Sequence, residues 1–519
     1  MWGEKIQCLA YRVIQAAGAG IFLGLTYYSL RYSQYMFPQM REFPIDVRGI
    51  TVYNILAAGI LCFVVFVLMR SEAKLTERGK MWIEHIFLTA SMCWAVGGGF
   101  WWVNSLNRIP VGDQAFVYGG ACYFLEGQYS FLSPGGYCSM YPHQLGMIAL
   151  LELLFFITGT CSYYTVEAIN ILLAGGIVLL GYGLMRELST SFAARIFYCL
   201  FVAGCVPLIC YTNWIYGDMP SIFFTMLTAW FVLRWHRCSR KQYLAGIVAA
   251  AVMAVLVRKN SLIFLIALFL LAVIYVIRYH RWQLLLTVVL AGACSFLVYQ
   301  GIFKMYEVRS GYEHCDGFPA NSWIMLGVLE QDGLCGWYNN LQKEVLYATD
   351  FDYEETEIII AGFIRERLHV FIENPQYARW FYKNKILSQW NDPLYQSIYF
   401  SAKTLEQNSP EPGSFLDGLY NRPEVHDRVF RFADIMQFLV YFGMLLYYLF
   451  AVRKERQPLE YFLAVTIIGG FFFSILWEAK ARYIFSYYVM MYPLAVTGYF
   501  EAIQRAIAFR QKIDESKQK

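Results

Sequence analysis

The chain has few charged residues for its length. Charged side chains make up 15% of its 519 residues, whereas soluble globular domains carry about 25%. Hydrophobic residues make up 58%, and they gather into runs of about twenty, the length that crosses the hydrocarbon core of a bilayer. This composition excludes a soluble globular protein and predicts an all-α, polytopic membrane protein.

Several familiar catalytic motifs are missing. The sequence has no P-loop, no GxGxxG and no HExxH motif, so it offers no support for nucleotide binding or for zinc-dependent hydrolysis. Its thirteen cysteines form no CxxC motif and no Cys/His cluster of the kind that holds a metal. No cofactor is predicted; the pattern neither indicates nor excludes a divalent metal.

The amino terminus lacks the cleavage site of a secretory signal peptide, so the first apolar run is predicted to remain as a span. Most cysteines lie inside apolar runs, where small buried side chains are expected. Four lie in two long loops, Cys122 with Cys138 and Cys315 with Cys335. Each pair closes a short disulfide if the loops face an oxidising compartment; otherwise the thiols stay free.

About twelve segments are predicted as membrane spans: residues 14–31, 50–69, 82–103, 166–185, 195–213, 219–235, 242–258, 261–277, 283–303, 433–452, 459–477 and 483–502. Lys and Arg cluster in the connections 70–80, 234–241, 278–281 and 453–456 and after residue 505. The positive-inside rule assigns these to the cytoplasm. We therefore predict a multi-pass plasma-membrane protein of bacterial type with both termini in the cytoplasm.

A thirteenth apolar run, residues 145–159, is interpreted as re-entrant or as lying at the outer interface. It is short, and it carries Glu152 near its middle. If it crossed the membrane, alternation would move the basic connection 234–241 to the outside, against the positive-inside rule. The alternative is a true span with a compensating error elsewhere.

The spans divide the chain into four parts. Residues 1–80 hold two N-terminal spans, and residues 81–303 form a transmembrane core with a first outer loop at 104–164. Residues 304–432 alternate helical patterns with a Pro/Gly/Ser-rich stretch, which predicts a compact, mostly helical extracytoplasmic domain. Residues 433–519 hold the last spans and a cytoplasmic tail.

Two acids and a histidine lie at the outer ends of spans. Asp113 follows Pro110 and Gly112 and begins a helical pattern, which predicts an amphipathic helix on the outer leaflet; Asp218 lies in a short outer turn. Each acid has an ordinary interpretation as a helix N-cap and a functional one as a general base. His143 is open to interpretation as a base, a ligand or a polar contact.

Basic residues reach the same predicted surface. Arg258 and Lys259 lie in an outer hairpin, and Glu478, Lys480 and Arg482 lie at the outer mouth of the last two spans. Snorkelling or an interfacial charge cluster is the ordinary interpretation, and binding of a lipid phosphate is the functional one. Acids beside cations suit group transfer from a lipid-phosphate donor, because a carboxylate activates the acceptor while cations stabilise the departing phosphate.

The order of these motifs resembles the GT-C superfamily of integral-membrane glycosyltransferases, nearest to the branch of protein O-mannosyltransferases and the aminoarabinose transferase of lipid A. The order is P-x-G-D-x-x-x-x-Y at 110–118, G-Q-Y at 127–129, Y-P-H at 141–143, an acid at 218, R-K-N at 258–260 and E-x-K-x-R-Y at 478–483. The resemblance runs from about residue 82 to 303 and again over the last two spans.

The resemblance implies an inverting hexosyl- or pentosyltransferase that takes a sugar from a polyprenyl-phosphate carrier. It implies two catalytic acids, three residues that bind the donor phosphate and four that bind substrate: Asp113 and Asp218; Arg258, Lys259 and Arg482; Tyr118, His143, Glu478 and Lys480. Many relatives carry Asp-Glu at the first motif, whereas Gln114 follows the acid here. This departure weakens the expectation of a protein acceptor and of a metal at that position.

The expected partners are this donor, the lipid bilayer and a cell-envelope glycan, teichoic acid, lipid or protein acceptor, with no nucleic acid. One alternative is an envelope polysaccharide polymerase or ligase with a polyprenyl-diphosphate donor, which would need Arg/His-rich catalytic loops. A different class is a lipid or sugar transporter or flippase, which predicts ionisable residues in mid-membrane or inverted repeats. The sequence shows none of these signatures.

The predicted topology is testable by cysteine labelling with a membrane-impermeant reagent. Probes introduced at Ser133 and next to Asp218 should react from outside the cell, whereas a probe at Ser239 should react only after the membrane is opened. Labelling of Ser239 from outside would contradict the assignment of the basic connections to the cytoplasm.

Overall fold

The computed structural model describes residues 2–37, 42–106, 110–313, 316–403, 410–453 and 455–518. Most of these residues are helical. The strands form two short antiparallel pairs: β1 (Tyr32–Tyr35) with β2 (Ile45–Arg48), and β3 (Glu330–Gln331) with β4 (Leu334–Cys335). The predicted all-α class is confirmed.

The helices of the first 310 residues are, in chain order, α1 (Trp2–Arg31), α2 (Thr51–Glu72), α3 (Glu77–Ser105), α4 (Asp113–Leu125), α5 (Tyr137–Met140), α6 (Leu145–Thr158), α7 (Tyr163–Leu188), α8 (Phe192–Val202), α9 (Val206–Cys210), α10 (Asp218–Cys238), α11 (Lys241–Val257), α12 (Leu262–Tyr279) and α13 (Gln283–Ser310). The remaining helices are α14 (Asn321–Val328), α15 (Leu341–Ala348), α16 (Tyr353–Glu373), α17 (Pro375–Trp390), α18 (Ser397–Lys403), α19 (Phe415–Asn421), α20 (Pro423–Leu446), α21 (Phe462–Leu476) and α22 (Arg482–Gln518).

Among the described residues, eight helices are long and apolar enough to cross a membrane: α1, α2, α3, α7, α12, α13, α20 and α21. Two further pairs of consecutive helices are apolar enough but are bent at a short break, and the number rises to ten if each pair is one span. The first pair is bent by 99° and ends with α6. The second is bent by 59° and joins α8 to the segment that begins with α9. Helices α10, α11 and α22 coincide with the other predicted spans. The class of multi-pass membrane protein is therefore confirmed, while the count of twelve stays a prediction.

The connections predicted to be cytoplasmic meet at one end of the bundle. Arg278 pairs with Glu4 at 3.1 Å, and Arg456 joins Glu501 at 2.7 Å and reaches the carbonyl oxygen of Leu188. We call this the basic end. The opposite end carries the described residues 316–403 and 410–432 and is called the domain end. Charged side chains at the two ends of the bundle avoid the centre of the bilayer, where a charge costs the most free energy.

Helix α6 stays near the domain end along its whole length. At its start, the carbonyl oxygen of His143 accepts a hydrogen bond from Tyr299 of α13 at 3.2 Å. Further along, Glu152 pairs with Arg309 in the last turn of α13 at 2.6 Å. Ten residues separate these two contacts on α13, which is a rise of about 15 Å, so α6 runs back toward the domain end. This agrees with the re-entrant interpretation.

Capping residues start the two longest helices of the segment 316–403, α16 and α17. The carboxylate of Asp352 accepts the backbone N–H of Glu355 at 2.8 Å, and the amide oxygen of Asn374 accepts that of Tyr377 at 3.1 Å, with Pro375 in the first turn. Such caps satisfy N–H groups that have no partner inside a helix. The helical patterns read from this part of the sequence are thereby explained.

The segment 316–403 is fastened to the end of α21. The ammonium group of the fully buried Lys385 donates to the carbonyl oxygens of Gly327 at 2.5 Å and Ile475 at 2.8 Å. Gln389 donates to the carbonyl oxygen of Ser474 at 3.2 Å. These bonds satisfy carbonyls in the last turn of α21, which lack helical partners. The residues that follow α21 are therefore positioned by this segment.

Two glycine substitutions test this fastening. A Cβ at Gly327 would collide with the carbonyl of Leu476 and lie 2.8 Å from the carbonyl carbon of Trp477, whereas a Cβ at Gly362 of α16 meets nothing within 4 Å. We expect Gly327→Ala to lose about 1–3 kcal/mol of stability through overpacking. Gly362→Ala should gain up to about 1 kcal/mol from helix propensity. Thermal unfolding in detergent measures both, and a Gly327→Ala protein as stable as wild type would contradict the packing described.

Candidate active site

Asp113 and Asp218 each begin a helix, and neither residue caps it. The N-cap positions of α4 and α10 are taken by Gly112 (φ 58°) and Gly217 (φ 87°), with no side-chain cap bond at either helix. Glycine suits both positions because it adopts positive φ at little cost. The N-cap interpretation is therefore wrong for both acids, and their carboxylates make other contacts.

Gln114 anchors the helix that carries Asp113. Its side chain is fully buried, and its Oε1 accepts hydrogen bonds from the Tyr163 hydroxyl of α7 at 2.9 Å and from the backbone N–H of Ile215 at 3.1 Å. The residue after Asp113 thus faces a helix interface. A glutamate at position 114 would bury a negative charge at this interface. This explains why Gln114 stands here in place of the Glu of the Asp-Glu motif.

Asp218 forms a buried ion pair with Arg258. Asp218 is completely buried, and the side chain of Arg258, which follows α11, is 11% exposed. Burial, together with the nearby charge of Arg482, lowers the pKa of Arg258 to about 10, so the guanidinium stays charged at neutral pH. The pair joins the start of α10 to the end of α11 and places one cation of fixed position at the domain end.

Arg482, the first residue of α22, is a buried cation inside an aromatic cage. Its side chain is 2% exposed, and its guanidinium lies 4.6–5.6 Å from the ring centres of Trp214, Tyr216, Phe400 and Tyr483. Ring faces attract such a cation. Burial alone would lower the pKa of Arg482, but the neighbouring Tyr483, Tyr216 and Asp113 more than offset it, and the pKa is raised.

Asp113 lies close to this cation without fully pairing with it. The nearest carboxylate oxygen of Asp113 is 3.8 Å from the Arg482 guanidinium, and the Asp113 side chain is 47% exposed. The Nε atom of Arg482 finds no hydrogen-bond partner among the described residues. A buried guanidinium usually fills its five donors, so this one retains the capacity to bind a further anion.

Lys480 and Glu478 stand beside Arg482 on the connection between α21 and α22. The ammonium group of Lys480 lies 3.4 Å from Glu42. Glu478 is 3% exposed, and burial raises its pKa to about 7, opposed by Lys480 and supported by Asp113 and Glu42. Burial lowers the pKa of Lys480, but Glu42 and Glu478 outweigh that effect and raise it.

His143 lies in the same region as Asp113 and Lys259. Burial and the charge of Lys259 lower the pKa of His143 to about 4, against a smaller opposite effect of Asp113. Its imidazole is therefore neutral at pH 7, and its ring centre lies 6.1 Å from those of Tyr141 and Trp323. A neutral imidazole can accept or donate one hydrogen bond.

The ring of Tyr483 connects the two arginine sites, since it lies 5.8 Å from the Arg258 guanidinium and 5.6 Å from that of Arg482. Eight of the nine residues singled out in the sequence thus gather at the domain end: Asp113, His143, Asp218, Arg258, Lys259, Glu478, Lys480 and Arg482. We call this group the charged cleft.

Tyr118 lies away from the charged cleft. Its hydroxyl donates to the carbonyl oxygen of Cys161 at 2.8 Å, and its ring contacts Phe155 and Tyr163. Position 118 follows Asp113 by five residues, more than one helical turn, so the two side chains point to different sides of α4. The structure gives Tyr118 a packing role between α4 and the start of α7.

The first predicted cysteine pair is not joined. Cys122 and Cys138 are both free: Cys138 is buried on α5, whereas the thiol of Cys122 on α4 contacts that of Cys161. Cys335 of the second pair is also free, and Cys315 lies outside the described residues. Of the two alternatives left open for Cys122 and Cys138, the structure has the free thiols; sequence spacing could not decide between them, because it does not show which way the helix turns each thiol.

Five residues of the cleft carried no signal in the sequence analysis: Glu42, Trp214, Tyr216, Gln396 and Phe400. Trp214 and Tyr216 precede Asp218 closely enough to be considered with it. Glu42 and Gln396 come from connections and Phe400 from α18, all three far away from Asp218 along the chain. Within the described residues, no group of three or more His, Cys, Asp or Glu side chains is arranged to hold a metal ion.

No protein-family model matches the chain, and a search of curated proteins finds no match. The fold and the cleft therefore define the class: a multi-pass helical membrane protein with a charged cleft at one end of its bundle. The cleft sets a half-exposed carboxylate next to an incompletely paired buried guanidinium. That combination can accept a proton and bind an anion at adjacent positions.

The buried Glu478 predicts a pH dependence of stability. Its pKa is raised from 4.5 to about 7, so folding favours the protonated form, and this contribution is lost as the pH rises from about 4.5 through 7. We expect the stability of Glu478→Gln relative to wild type to increase from pH 5 to pH 8, by on the order of 3 kcal/mol at most. Thermal midpoints of both proteins at the two pH values measure this. The same difference in thermal midpoint between the two proteins at both pH values would contradict this expectation.

Proposed function

We propose that the protein is a glycosyltransferase of GT-C type that moves a sugar from a polyprenyl-phosphate donor to a cell-envelope acceptor. In this proposal the chain crosses a bacterial plasma membrane about twelve times, with the basic end in the cytoplasm and the charged cleft on the outer face. Donor and acceptor meet at the cleft. The order of sequence motifs and the arrangement of their residues support the same conclusion.

The observation that carries the proposal is the pairing of Arg482 with Asp113. A buried, caged guanidinium with an unpartnered Nε suits one phosphate oxygen. The Asp113 carboxylate, 3.8 Å away and half exposed, suits an acceptor hydroxyl that arrives from solvent. Glycosyl transfer needs a base for the acceptor hydroxyl and a cation for the leaving phosphate, close enough to act on the two sides of the same anomeric carbon.

The reaction follows from these positions. Asp113 takes the proton of the acceptor hydroxyl. At the same time the oxygen of that hydroxyl attacks the anomeric carbon of the sugar from the face opposite the phosphate. The bond between that carbon and the phosphate oxygen breaks, and the electron pair leaves with the phosphate. Arg482 and Arg258 stabilise the negative charge that develops there. One displacement inverts the anomeric configuration.

A small pocket beside Arg258 suits the end of the prenyl chain that is joined to the donor phosphate. It runs between α10, α12, α21 and α22 and is lined by hydroxyl and apolar side chains, among them Thr225, Phe264, Thr466 and Met490. Arg258 lines this pocket, so in the proposed reaction the part of the donor next to its phosphate lies there. The rest of the prenyl chain stays in the hydrocarbon phase, because leaving it would lose a large burial of apolar surface.

The balance of charge favours a donor with one phosphate group. Arg258 is neutralised by Asp218 and Lys480 by Glu42. The other buried cation of the cleft, Arg482, is shared with Asp113. A diphosphate brings at least one more negative charge than a phosphodiester, and its further cation would be Lys259, which is exposed to solvent and therefore a weaker partner. We therefore place the polyprenyl-diphosphate polymerase or ligase second, and a lipid or sugar transporter third.

The proposal is tested by release of free polyprenyl phosphate from polyprenyl-phosphate sugars, with a cell-envelope extract as the source of acceptor. We expect purified wild-type protein to release the lipid phosphate and Asp113→Asn to lose at least about a hundredfold in rate, the effect typical of a missing general base. Arg482→Met should lose a comparable factor because the leaving phosphate is no longer stabilised.

Asp427 provides a matched control. It is 48% exposed and pairs with Arg431 at 2.7 Å on α20, so Asp427→Asn makes the same chemical change at a similarly exposed, arginine-paired acid. This variant should retain the wild-type rate. The proposed mechanism is wrong if Asp113→Asn is as active as Asp427→Asn. Release from diphosphate-linked donors only would favour the polymerase or ligase, and absence of release with every donor would favour a transporter.

A further inference from the structure

The connection between α17 and α18 is buried inside the bundle although it is not helical. Residues 390–399 are all buried, in a part of the chain that was predicted to stay outside the membrane bundle. Connections normally lie on the surface, because their backbone polar groups need partners. We call residues 390–397 the wedge.

Side chains of the bundle satisfy the backbone of the wedge. The Tyr211 hydroxyl donates to the carbonyl oxygen of Tyr395 at 2.5 Å, and the Gln437 amide donates to that of Asp392 at 3.0 Å. The Asp392 carboxylate accepts the backbone N–H groups of Leu394 and Gln396, both at 2.9 Å. The wedge is thus held in one conformation by α20, by the turn after α9 and by its own aspartate.

Two consecutive residues of the wedge are strained. Tyr395 (φ 48°) and Gln396 (φ 62°) adopt left-handed backbone conformations, which cost a non-glycine residue of order 1 kcal/mol or more each. Such strain persists only where the surroundings impose it, and it is common at functional sites. In the wedge it turns the side chain of Gln396 toward the charged cleft.

Gln396 connects two groups of the cleft that come from distant parts of the chain. Its Oε1 accepts the backbone N–H of Arg482 at 3.0 Å, and its Nε2 donates to the Glu42 carboxylate at 2.5 Å. The other carboxylate oxygen of Glu42 faces Lys480 at 3.4 Å. Gln396 is 1% exposed, so its bond to Arg482 is shielded from water and strengthened by the low local dielectric, whereas its bond to Glu42 is partly buried.

We propose that Gln396 is a positioning residue for phosphate binding, which orients Arg482 through its backbone and keeps Glu42 engaged with Lys480. This inference rests on the proposed function. Arg482 starts α22, and the accepted N–H belongs to a first turn that has no helical partner for it. Gln396 thereby sets where α22 begins and how far the Arg482 guanidinium stands from Asp113.

The amide is suited to this position because it both donates and accepts. A carboxylate at residue 396 would still accept the N–H of Arg482, but it would repel Glu42. A thioether at the same position would do neither. If Glu42 lost its donor, its carboxylate would be free to turn toward Arg482 and occupy the place that we assign to the donor phosphate. Substitution of Gln396 should therefore weaken phosphate recognition more than it weakens the fold.

Binding of a long-chain polyprenyl monophosphate to the full-length protein in detergent tests the inference, with the corresponding polyprenyl alcohol as the phosphate-free comparison. Wild type should bind the phosphate more tightly than the alcohol. Gln396→Met should lose about tenfold in affinity for the phosphate, which is the loss expected for one misplaced charge-assisted contact, and should bind the alcohol as wild type does. Gln396→Glu should lose at least as much.

Gln342→Met is the matched control. Gln342 is also a fully buried amide, on α15, and α15 packs against α14 and α16. This variant makes the same change of side chain and should keep the preference for phosphate. An equal loss of preference in Gln342→Met would overturn the inference by showing a general effect of exchanging a buried amide.

The remaining outcomes separate the inference from the proposed function. If wild type prefers the phosphate and both Gln396 variants keep that preference, Gln396 is not a positioning residue, and the proposed function stands. If wild type does not distinguish phosphate from alcohol, the proposed function is wrong and the inference falls with it. Thermal midpoints recorded beside each titration identify any variant that fails to fold.

Discussion

The domain end of the bundle is organised around one buried positive charge, that of Arg482. A guanidinium that is 2% exposed loses most of its hydration, and it stays charged only if the protein replaces that hydration. Four aromatic rings, the Tyr483 and Tyr216 hydroxyls and a carboxylate at 3.8 Å do so in part. In the proposed function, the donor phosphate supplies the part of the hydration that is left unreplaced.

Keeping that charge in place recruits elements from most of the chain. Trp214 and Tyr216 come from the turn before α10, Phe400 from α18, and Asp113 from α4, which Gln114 ties to α7 and to residue 215. Lys385 and Gln389 hold the last turn of α21, just before the connection that carries Glu478 and Lys480. The segment 316–403 is therefore part of the cleft and is not only a cover above it.

The sequence predicted the charges of the cleft better than their surroundings. Asp113, Asp218, Arg258 and Arg482 stand at the ends of apolar runs, and once alternation of spans places those ends together, their convergence follows. Glu42 and Gln396 could not be found in this way, because one lies in a short connection between two spans and the other in an apparently external segment. Tyr118 lies away from the other residues of the cleft, and its position in a motif could not reveal this, because a motif does not show which side of α4 a residue occupies.

By itself the sequence determined the class of protein, the helical segments and the gathering of basic connections at one end, because length, hydropathy and charge are local properties that a bilayer sorts directly. Only the tertiary structure decided which partners the buried charges have, that Asp113 and Asp218 do not cap their helices, and that residues 390–397 enter the bundle. These features depend on the direction of each side chain and on contacts between residues hundreds of positions apart, such as Gln396 with Glu42. The hydrophobic periodicity of the sequence does not predict such contacts.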